Sequence, residues 1–323
     1  MRCIVFTGAG GNEVVALQER RDPEPGAEDV IVQQPFAGLN PADLQQRAGA
    51  YPAPPGFPAD IPGLEVCGTV VSCGERVHTW KPGDRIFGLV GGGGLADRVQ
   101  VHERAVAAVP EALDDEAAAA VAEAFITAHD AVAVQAALRP GEWLLVHGAA
   151  GAVGSAAVQI GVHMGARVMG VVRHERGREL VRSLGATALE DADFAGAVHA
   201  HTAGHGADVV LELIGAPHFP GNLDSLALRG RLIVVGVAAG QDVHLPLLRL
   251  MQRRATLRGT VLRARPIEEK GAAVRAFERE VVPALASGSI RPLVDRVFDA
   301  DDAAAAFDHL AAPGKVGKVL LRF

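Results

Sequence analysis

The sequence predicts an α/β protein in which a barrel-like, strand-rich first third precedes a doubly wound parallel sheet. The first third is rich in Pro and Gly and shows little helical periodicity, which is typical of short strands joined by turns. From residue 143 onward, continuous apolar strands alternate with helical stretches, which indicates a parallel sheet covered on both faces. With 323 residues, the chain is long enough for two substantial cores.

The strands of the first third are predicted where short apolar runs lie between turn signals. They cover residues 1–6, 30–32, 68–71, 85–90 and 96–101. An alanine-rich helical stretch, residues 116–138, follows and ends at Arg139-Pro140-Gly141. Because Pro and Gly interrupt helices, this tripeptide marks the entry into the parallel sheet.

Four strands of the parallel sheet are predicted, at residues 143–147, 167–172, 208–214 and 231–236. After about residue 264 the pattern changes to two helices, a strand at 294–298 and a last strand at 318–323. A short terminal strand is not stable alone, so we expect this segment to pack back onto the N-terminal β-rich part. The predicted domains are therefore residues 1–118 with 264–323, and residues 119–263.

A glycine-containing turn joins the first strand of this sheet to the next helix. It contains Gly151 and Gly154, and Ala149 stands where the usual G-x-G-x-x-G pattern has its first glycine. A dinucleotide pyrophosphate binds at such turns, because a glycine lets the backbone approach the phosphates and the helix N-terminus offers free N–H groups. Similar turns also occur in purely structural loops. We predict cofactor contacts from Ala150, Gly151, Ala152 and Val153.

The end of the second strand predicts which nicotinamide cofactor binds. An NAD site usually has an Asp or Glu there for the ribose 2′-hydroxyl, whereas this chain has Arg173, His174, Glu175 and Arg176. Guanidinium groups pair with phosphate in a bidentate way, so the basic side chains favour the 2′-phosphate of NADPH. Two alternatives stay open: Glu175 binds the hydroxyl of NADH, or both arginines are solvated surface charges.

The composition excludes several classes of function. Acidic residues outnumber basic ones by 38 to 31 and no long basic run interrupts that balance, which argues against nucleic acid as a partner. Cys3, Cys67 and Cys73 are too few and too scattered for a disulfide framework or a C-x-x-C zinc site. The N-terminus lacks the features of a signal peptide, and no uncharged apolar run is long enough to span a bilayer. We expect a cytoplasmic protein with no membrane partner.

Several motifs along the chain resemble those of the zinc-free quinone oxidoreductases in the medium-chain dehydrogenase/reductase family, and the p53-inducible type most of all. The resemblance extends over essentially the whole length. It rests on residues 38–43, 47–52, 62–68, 81–85, 213–215 and 314–319.

The resemblance implies a GroES-like β-barrel domain, a Rossmann domain and a cleft between them that binds NADPH. Zinc-dependent relatives place a metal ligand in a Gly-His-Glu triplet, and here the triplet is Gly63-Leu64-Glu65. The four-cysteine lobe of those relatives is also missing. With these ligands absent, we expect no zinc site.

The resemblance also implies roles for individual residues. Tyr51 and Asn40 are the predicted catalytic residues: Tyr51 would donate a hydrogen bond to the acceptor oxygen, and Asn40 would orient the nicotinamide or the substrate. The alternatives are that Tyr51 is an aromatic residue closing the barrel, that Asp43 caps a helix and that Glu65 is structural. The remaining predicted cofactor contacts are Thr127, Ile214, Gly215, Gly236, Val237, Ala238, Arg263 and Lys318. Thr127 could instead bond its own helix, and the two basic residues could be surface charges.

Without a metal, the favoured chemistry is hydride delivery to an electron-poor acceptor, so a quinone or related enone is the expected substrate. A 2-alkenal or enoyl double-bond reductase is the alternative among enzymes, and a non-catalytic NADPH-binding protein is the alternative outside them. We also expect a homodimer, formed by an apolar sheet edge near residues 232–237.

Overall fold

The computed structural model describes all residues from 1 to 323, and its contacts divide them into two units. The discontinuous unit comprises Met1–Ile126 and Leu262–Phe323, and the continuous unit comprises Thr127–Val261. None of the helices has both the length and the apolar character needed to cross a bilayer.

The strands, in chain order, are β1 (Arg2–Phe6), β2 (Val15–Glu19), β3 (Asp29–Gln33), β4 (Phe36–Leu39), β5 (Glu65–Cys73), β6 (Arg85–Leu89), β7 (Arg98–His102), β8 (Val106–Ala108), β9 (Trp143–His147), β10 (Arg167–Val172), β11 (Thr187–Glu190), β12 (Ala207–Glu212), β13 (Leu226–Val234), β14 (Thr256–Gly259), β15 (Val294–Asp299) and β16 (Lys318–Arg322).

The α-helices are α1 (Pro41–Arg47), α2 (Asp115–Ala119), α3 (Ala122–His129), α4 (Ala152–His163), α5 (Glu175–Ser183), α6 (Phe194–His201), α7 (Phe219–Ser225), α8 (Leu247–Arg253), α9 (Ile267–Glu280), α10 (Val282–Ala286) and α11 (Ala303–Ala311). The single helical stretch predicted at residues 116–138 is wrong, because α2 ends at Ala119, α3 follows, and Asp130–Gln135 form a π-helix.

The discontinuous unit is built on antiparallel pairing. Its five-stranded sheet has the order β7-β3-β5-β6-β8, and the valine-rich inner faces of these strands enclose a buried core. The C-terminal segment lies beside an early strand, because β16 pairs antiparallel with β4 and parallel with β15. A second core forms around this pairing, where Phe307 of α11 packs among residues of β1, β4 and β16.

The continuous unit is a six-stranded, fully parallel sheet with the order β11-β10-β9-β12-β13-β14. Counted from the first strand of this unit, the order is 3-2-1-4-5-6, which is the Rossmann arrangement, so the predicted doubly wound sheet is confirmed. The strands alternate with helices that bury apolar side chains such as Leu145, Met169 and Val210. Dinucleotides bind such sheets at the carboxyl ends of the strands.

The sheet edge predicted near residues 232–237 is wrong. Those residues begin inside β13, which pairs with β12 on one side and β14 on the other. The edge strand is β14, and all four of its residues are exposed. The apolar periodicity of β13 reflects burial inside the sheet, because an interior parallel strand is covered on both faces.

Candidate functional site

The turn after β9 has the geometry that a bound anion requires. Gly151 is the N-cap of α4, and no side chain bonds to the N-terminal N–H groups of that helix. Gly148 reverses the chain direction with a φ of 58°, a backbone conformation that glycine adopts without strain. The free N–H groups and the positive end of the helix dipole therefore point out of this turn.

The two glycines of the turn are needed for different reasons. A Cβ atom on Gly154 would lie 2.2 Å from the Gly148 carbonyl oxygen and 2.8 Å from the Ala149 Cα, so the fold itself requires glycine there. A Cβ on Gly151 would meet only the Gly148 oxygen, at 3.4 Å, and its φ of −72° suits any residue. The fold thus leaves Gly151 free to vary, and its lack of a side chain leaves open the space that a phosphate group would fill.

Basic side chains follow β10, as the sequence predicts. Arg173 and Arg176 are exposed, and His174 between them is the N-cap of α5. The carboxylate of Glu175 is bound by Arg178 at 2.8 Å and Arg182 at 2.9 Å. These two guanidinium groups lower the pKa of Glu175. Because its carboxylate is held by its own helix, the structure argues against Glu175 as the group that binds a ribose hydroxyl.

The segments after β12 and β13 are shaped by glycines. Gly215 has a φ of 112°, and a Cβ on it would lie 2.4 Å from the Gly240 carbonyl oxygen. A Cβ on Gly236 would lie 2.5 Å from the Leu213 oxygen, so the two segments are in close contact. Both predicted strands end earlier than expected, at Glu212 and Val234. The remaining predicted contacts are Ile214, Val237 and Ala238 in these segments and Thr127, which is buried in α3.

A buried network of ionisable groups lies at the carboxyl ends of β9 and β12, and the sequence did not predict it. Asn222 donates to Glu212 at 2.5 Å and accepts from His147 at 2.6 Å. His218 lies 2.8 Å from Asp191 and 3.8 Å from Glu212. His147, Glu212 and His218 offer metal-ligand atoms within 4.8 Å of one another. Since Asn222 bridges two of them through hydrogen bonds, we assign the group to a hydrogen-bond network and not to a metal site.

In the discontinuous unit, Tyr51 is held by Arg263. Arg263 donates to the Tyr51 carbonyl oxygen at 3.0 Å and the Gly91 carbonyl oxygen at 2.8 Å, and its guanidinium lies 4.9 Å from the centre of the Tyr51 ring. Burial raises the pKa of Tyr51 and outweighs the opposing effect of Arg263. The phenol is therefore a hydrogen-bond donor at neutral pH. Arg263 is only 6% exposed, so the surface-charge alternative is wrong for this residue.

Asn40 and Lys318 meet at a buried ion pair. The Lys318 ammonium binds the Glu65 carboxylate and donates to the Asn40 side-chain oxygen at 2.6 Å. The Asn40 amide donates to Glu65 at 3.0 Å, and all three side chains are at most 5% exposed. The structural role considered for Glu65 is thus observed, and the surface-charge alternative for Lys318 is wrong. The cofactor roles of Asn40 and Lys318 stay predictions, and both polar groups already have protein partners.

Asp43 has the capping role that the sequence suggests. Its carboxylate accepts the N–H groups of Asn40 at 2.8 Å and Gly63 at 3.0 Å, which joins the start of α1 to the segment before β5. Complete burial raises the pKa of Asp43 to about 6, despite these two bonds. Both of its carboxylate oxygens accept backbone N–H groups, so Asp43 is a structural residue.

The structure thus brings most of the predicted residues together in three groups, one in the continuous unit and two in the discontinuous unit. The turn after β9, the arginines after β10 and the segments after β12 and β13 all lie at the carboxyl ends of one sheet. Tyr51 and Arg263 form one cluster in the discontinuous unit, and Asn40 and Lys318 form another. A buried acidic residue at the end of an apolar strand, Glu212, was the sequence signal that could have pointed to the network with His218.

Two protein-family models match the chain. The model described as alcohol dehydrogenase GroES-like domain matches residues 26–111, and the model described as zinc-binding dehydrogenase matches residues 152–279. The first match confirms the GroES-like part of the predicted fold. The second begins at Ala152, the first residue of α4, and covers the segments after β12 and β13.

Relatives of known name match over the whole length. A quinone oxidoreductase of Pseudomonas aeruginosa is 32% identical, and the match covers 98% of each chain. The structure of a mycobacterial protein complexed with NADPH has a TM-score of 0.89 and 28% identity, with 100% of both chains covered. The structure of an NAD-dependent alcohol dehydrogenase gives the same TM-score of 0.89 at 27% identity, again over 100% of both chains. Similar folds thus occur with either nicotinamide cofactor.

Proposed function

Because the chain belongs to the medium-chain dehydrogenase/reductase family, we propose that this oxidoreductase uses NADPH, without zinc, to reduce quinones or related conjugated carbonyls by hydride transfer. The observation that carries the proposal is the turn after β9. No side chain caps the N-terminus of α4, and the fold leaves room for a side chain at Gly151. A bound pyrophosphate would require this position to have no side chain. A ligand that approaches the backbone at Gly151 would account for a glycine at a position where the fold leaves room for a Cβ atom.

Residues of the continuous unit supply cofactor binding in this proposal. The pyrophosphate lies against residues 150–153 and accepts the free N–H groups of Ala152 and Val153, because the N–H of Gly151 donates to Gly148 at 3.0 Å. Arg173 and Arg176 bind the 2′-phosphate. The segments that begin with Ile214 and Gly236 contact the nicotinamide end. When bound, NADPH supplies a hydride from C4 of its nicotinamide.

Tyr51 donates a hydrogen bond to the substrate that accepts the hydride in the proposed reaction. Conjugation in a quinone spreads the negative charge that arrives with the hydride, so a neutral hydrogen-bond donor is sufficient to stabilise it. The raised pKa of Tyr51 keeps the phenol protonated, and Arg263 fixes its backbone and one face of its ring. Arg263 thus positions the donor.

The residues present do not fit a catalytic zinc ion. Leu64 is apolar where zinc-dependent relatives have a histidine, and the neighbouring Glu65 is bound by Lys318 and Asn40. Burial raises the pKa of Cys67, so its thiol resists the ionisation that zinc binding requires. No step of the proposed reaction uses a metal.

Steady-state oxidation of NADPH tests the proposed activity. The acceptors compared are a simple quinone, a 2-alkenal and an enoyl thioester, and the quinone should give the highest kcat/KM. Preference for either of the other acceptors would indicate the double-bond reductase. Tight NADPH binding without turnover of any acceptor would indicate a non-catalytic binding protein.

Replacing both Arg173 and Arg176 with alanine tests the choice of cofactor. We expect the Kd for NADPH to rise about 100-fold or more, because each of the two charge-assisted bonds to phosphate contributes about 1.5 kcal/mol or more, and the Kd for NADH to stay almost unchanged. Cofactor fluorescence titration measures both. The matched control is Arg182→Ala, which removes an arginine that binds Glu175. Equal losses for NADPH and NADH would refute the role in binding the 2′-phosphate.

We further propose a cytoplasmic homodimer, in which two continuous units join along β14. The edge strand has no neighbour on its outer side, and α8, the helix before it in the chain, exposes Leu248 at 65% and Met251 at 70%. A two-fold axis would pair β14 with its copy and cover both side chains.

Light scattering at micromolar concentration tests the dimer. The wild-type chain should have twice the mass of 33.5 kDa, and Leu248→Lys with Met251→Lys should reduce it to that of one chain, because two charges would then face two charges across the axis. Val162→Lys is the control, since Val162 is exposed on α4, a helix that packs against β9 and β10 and not against β14. A monomeric wild-type chain would refute the dimer.

A further inference from the structure

His218 lies between two carboxylates that come from different segments of the continuous unit. Its Nε2 atom is 2.8 Å from Asp191, which follows β11, and its Nδ1 atom is 3.8 Å from Glu212, the last residue of β12. The side chain is nearly buried, with 8% of the residue exposed. An imidazole between two carboxylates favours the charged form, because both neighbours stabilise the added proton.

The other two rings that face His218 carry no positive charge that would oppose its protonation. The ring of His147 lies 4.4 Å away, and the ring of Phe194 lies 5.5 Å away. Burial lowers the pKa of His147 to about 4, so this neighbour is neutral at physiological pH. Burial by itself would also lower the pKa of His218, but Glu212 and Asp191 outweigh that effect and raise it.

Glu212 connects His218 to the backbone of a predicted cofactor segment. The Glu212 Oε1 atom accepts the N–H of Ile214 at 2.5 Å and the N–H of Gly215 at 2.9 Å, while Oε2 is the atom near His218. The charged imidazole therefore links two segments at the carboxyl ends of β11 and β12. Dinucleotides lie across such strand ends in a Rossmann sheet.

We infer that His218 is a positioning residue: its imidazolium form holds the segments after β11 and β12 in the arrangement that binds NADPH, so cofactor affinity falls as rising pH removes the ring proton. This inference rests on the proposed function. The direction of the pH effect follows from the form of the ring that binds NADPH. Binding favours the protonated ring, so the full affinity is present at low pH and is lost as the pH rises through the pKa of His218. By linkage, bound NADPH must raise that pKa further.

Fluorescence titration of NADPH at pH 6.5 and pH 8.5 tests the inference with wild-type protein and His218→Gln. The wild-type Kd should rise about fivefold between the two pH values, at the lower end of usual coupling energies. Glutamine can still donate to Asp191 but carries no charge, so this variant should bind weakly at both pH values. The 2′-phosphate of the cofactor titrates near pH 6 against either protein, so comparing the two proteins cancels its effect.

Two further variants distinguish the role of His218 from a general effect on the fold. His201→Gln removes an exposed histidine of the same unit and should retain the wild-type pH dependence. Asp191→Asn removes one of the flanking carboxylates and should weaken binding at pH 6.5, even if the His218 variant does not fold. The ring protons of His218, followed by NMR, should titrate at a higher pH when NADPH is added.

The possible failures are distinct. If wild-type protein binds no NADPH at any pH, the proposed function fails and this inference fails with it. If wild-type protein binds NADPH but has the same pH dependence as His218→Gln, or if NADPH leaves the titration of His218 unchanged, only the positioning role is overturned.

Discussion

Replacing Gly154 with alanine is expected to lower the free energy of unfolding by about 3 kcal/mol or more, the upper range for overpacking a rigid site. The new methyl carbon would lie 2.2 Å from the Gly148 carbonyl oxygen and 2.8 Å from the Ala149 Cα. Both are backbone atoms of the turn, so neither can rotate out of the way. Urea unfolding measures the loss, and NADPH affinity should fall together with stability.

Gly151→Ala is the matched variant three residues earlier, and it should have the opposite balance of effects. Its methyl carbon meets one atom at 3.4 Å, so the loss in stability should stay below about 1 kcal/mol, the cost of a poorer N-cap. The same methyl group would occupy the space proposed for the pyrophosphate, and the Kd for NADPH should rise at least about tenfold, or 1.4 kcal/mol. Unchanged NADPH affinity in Gly151→Ala would show that the open space has another cause.

Removing the ammonium of Lys318 should have the second large effect. Lys318→Met leaves the Glu65 carboxylate 3% exposed and without its cation, and breaking a buried pair in this way costs about 3–5 kcal/mol. The double variant Lys318→Met with Glu65→Gln should recover part of the loss, because it buries no unpaired charge. Lys81→Met is the control: that side chain is 82% exposed and its replacement should change stability by less than about 0.5 kcal/mol.

Tryptophan fluorescence can assign this loss to one unit. Trp80 lies in the discontinuous unit with Lys318, and Trp143 lies in the continuous unit. With Trp143→Phe as the background, the urea transition reports on Trp80 alone and should move to lower urea in Lys318→Met. With Trp80→Phe as the background, the transition reports on Trp143 alone and should stay in place. If Lys318 acted mainly in binding the cofactor, neither transition of the cofactor-free protein would move.

Much of the sheet could be predicted because interior parallel strands are continuous apolar runs. The strands β9 and β10 begin and end at the predicted residues, since Gly and polar residues bound them on both sides. The prediction failed at the end of β12, where Leu213 and Ile214 are as apolar as the strand itself. The strand ends there because the Glu212 carboxylate bonds to the N–H groups of Ile214 and Gly215, and hydropathy does not register such bonds.

The candidate site was predictable where it depends on local chemistry. The glycines of the turn and the arginines after β10 lie within about 25 residues of one another, in an order that the βαβ unit dictates. The pairing of Lys318 with Glu65 joins residues that are far apart in the sequence. Which distant charges meet depends on the three-dimensional packing, and a single sequence does not contain that information.

The pairing of β16 with β4 has a consequence for synthesis of the chain on the ribosome. All six strands of the parallel sheet are made before residue 262, so that sheet can form while translation continues. The other unit lacks β16, the partner of β4, until residues 318–322 have been made. Until then Glu65 has no ammonium to neutralise it, and the Asn40 side-chain oxygen has no donor from Lys318. The unit whose synthesis begins first is therefore completed second, and its first strands must avoid aggregation until β16 has been made.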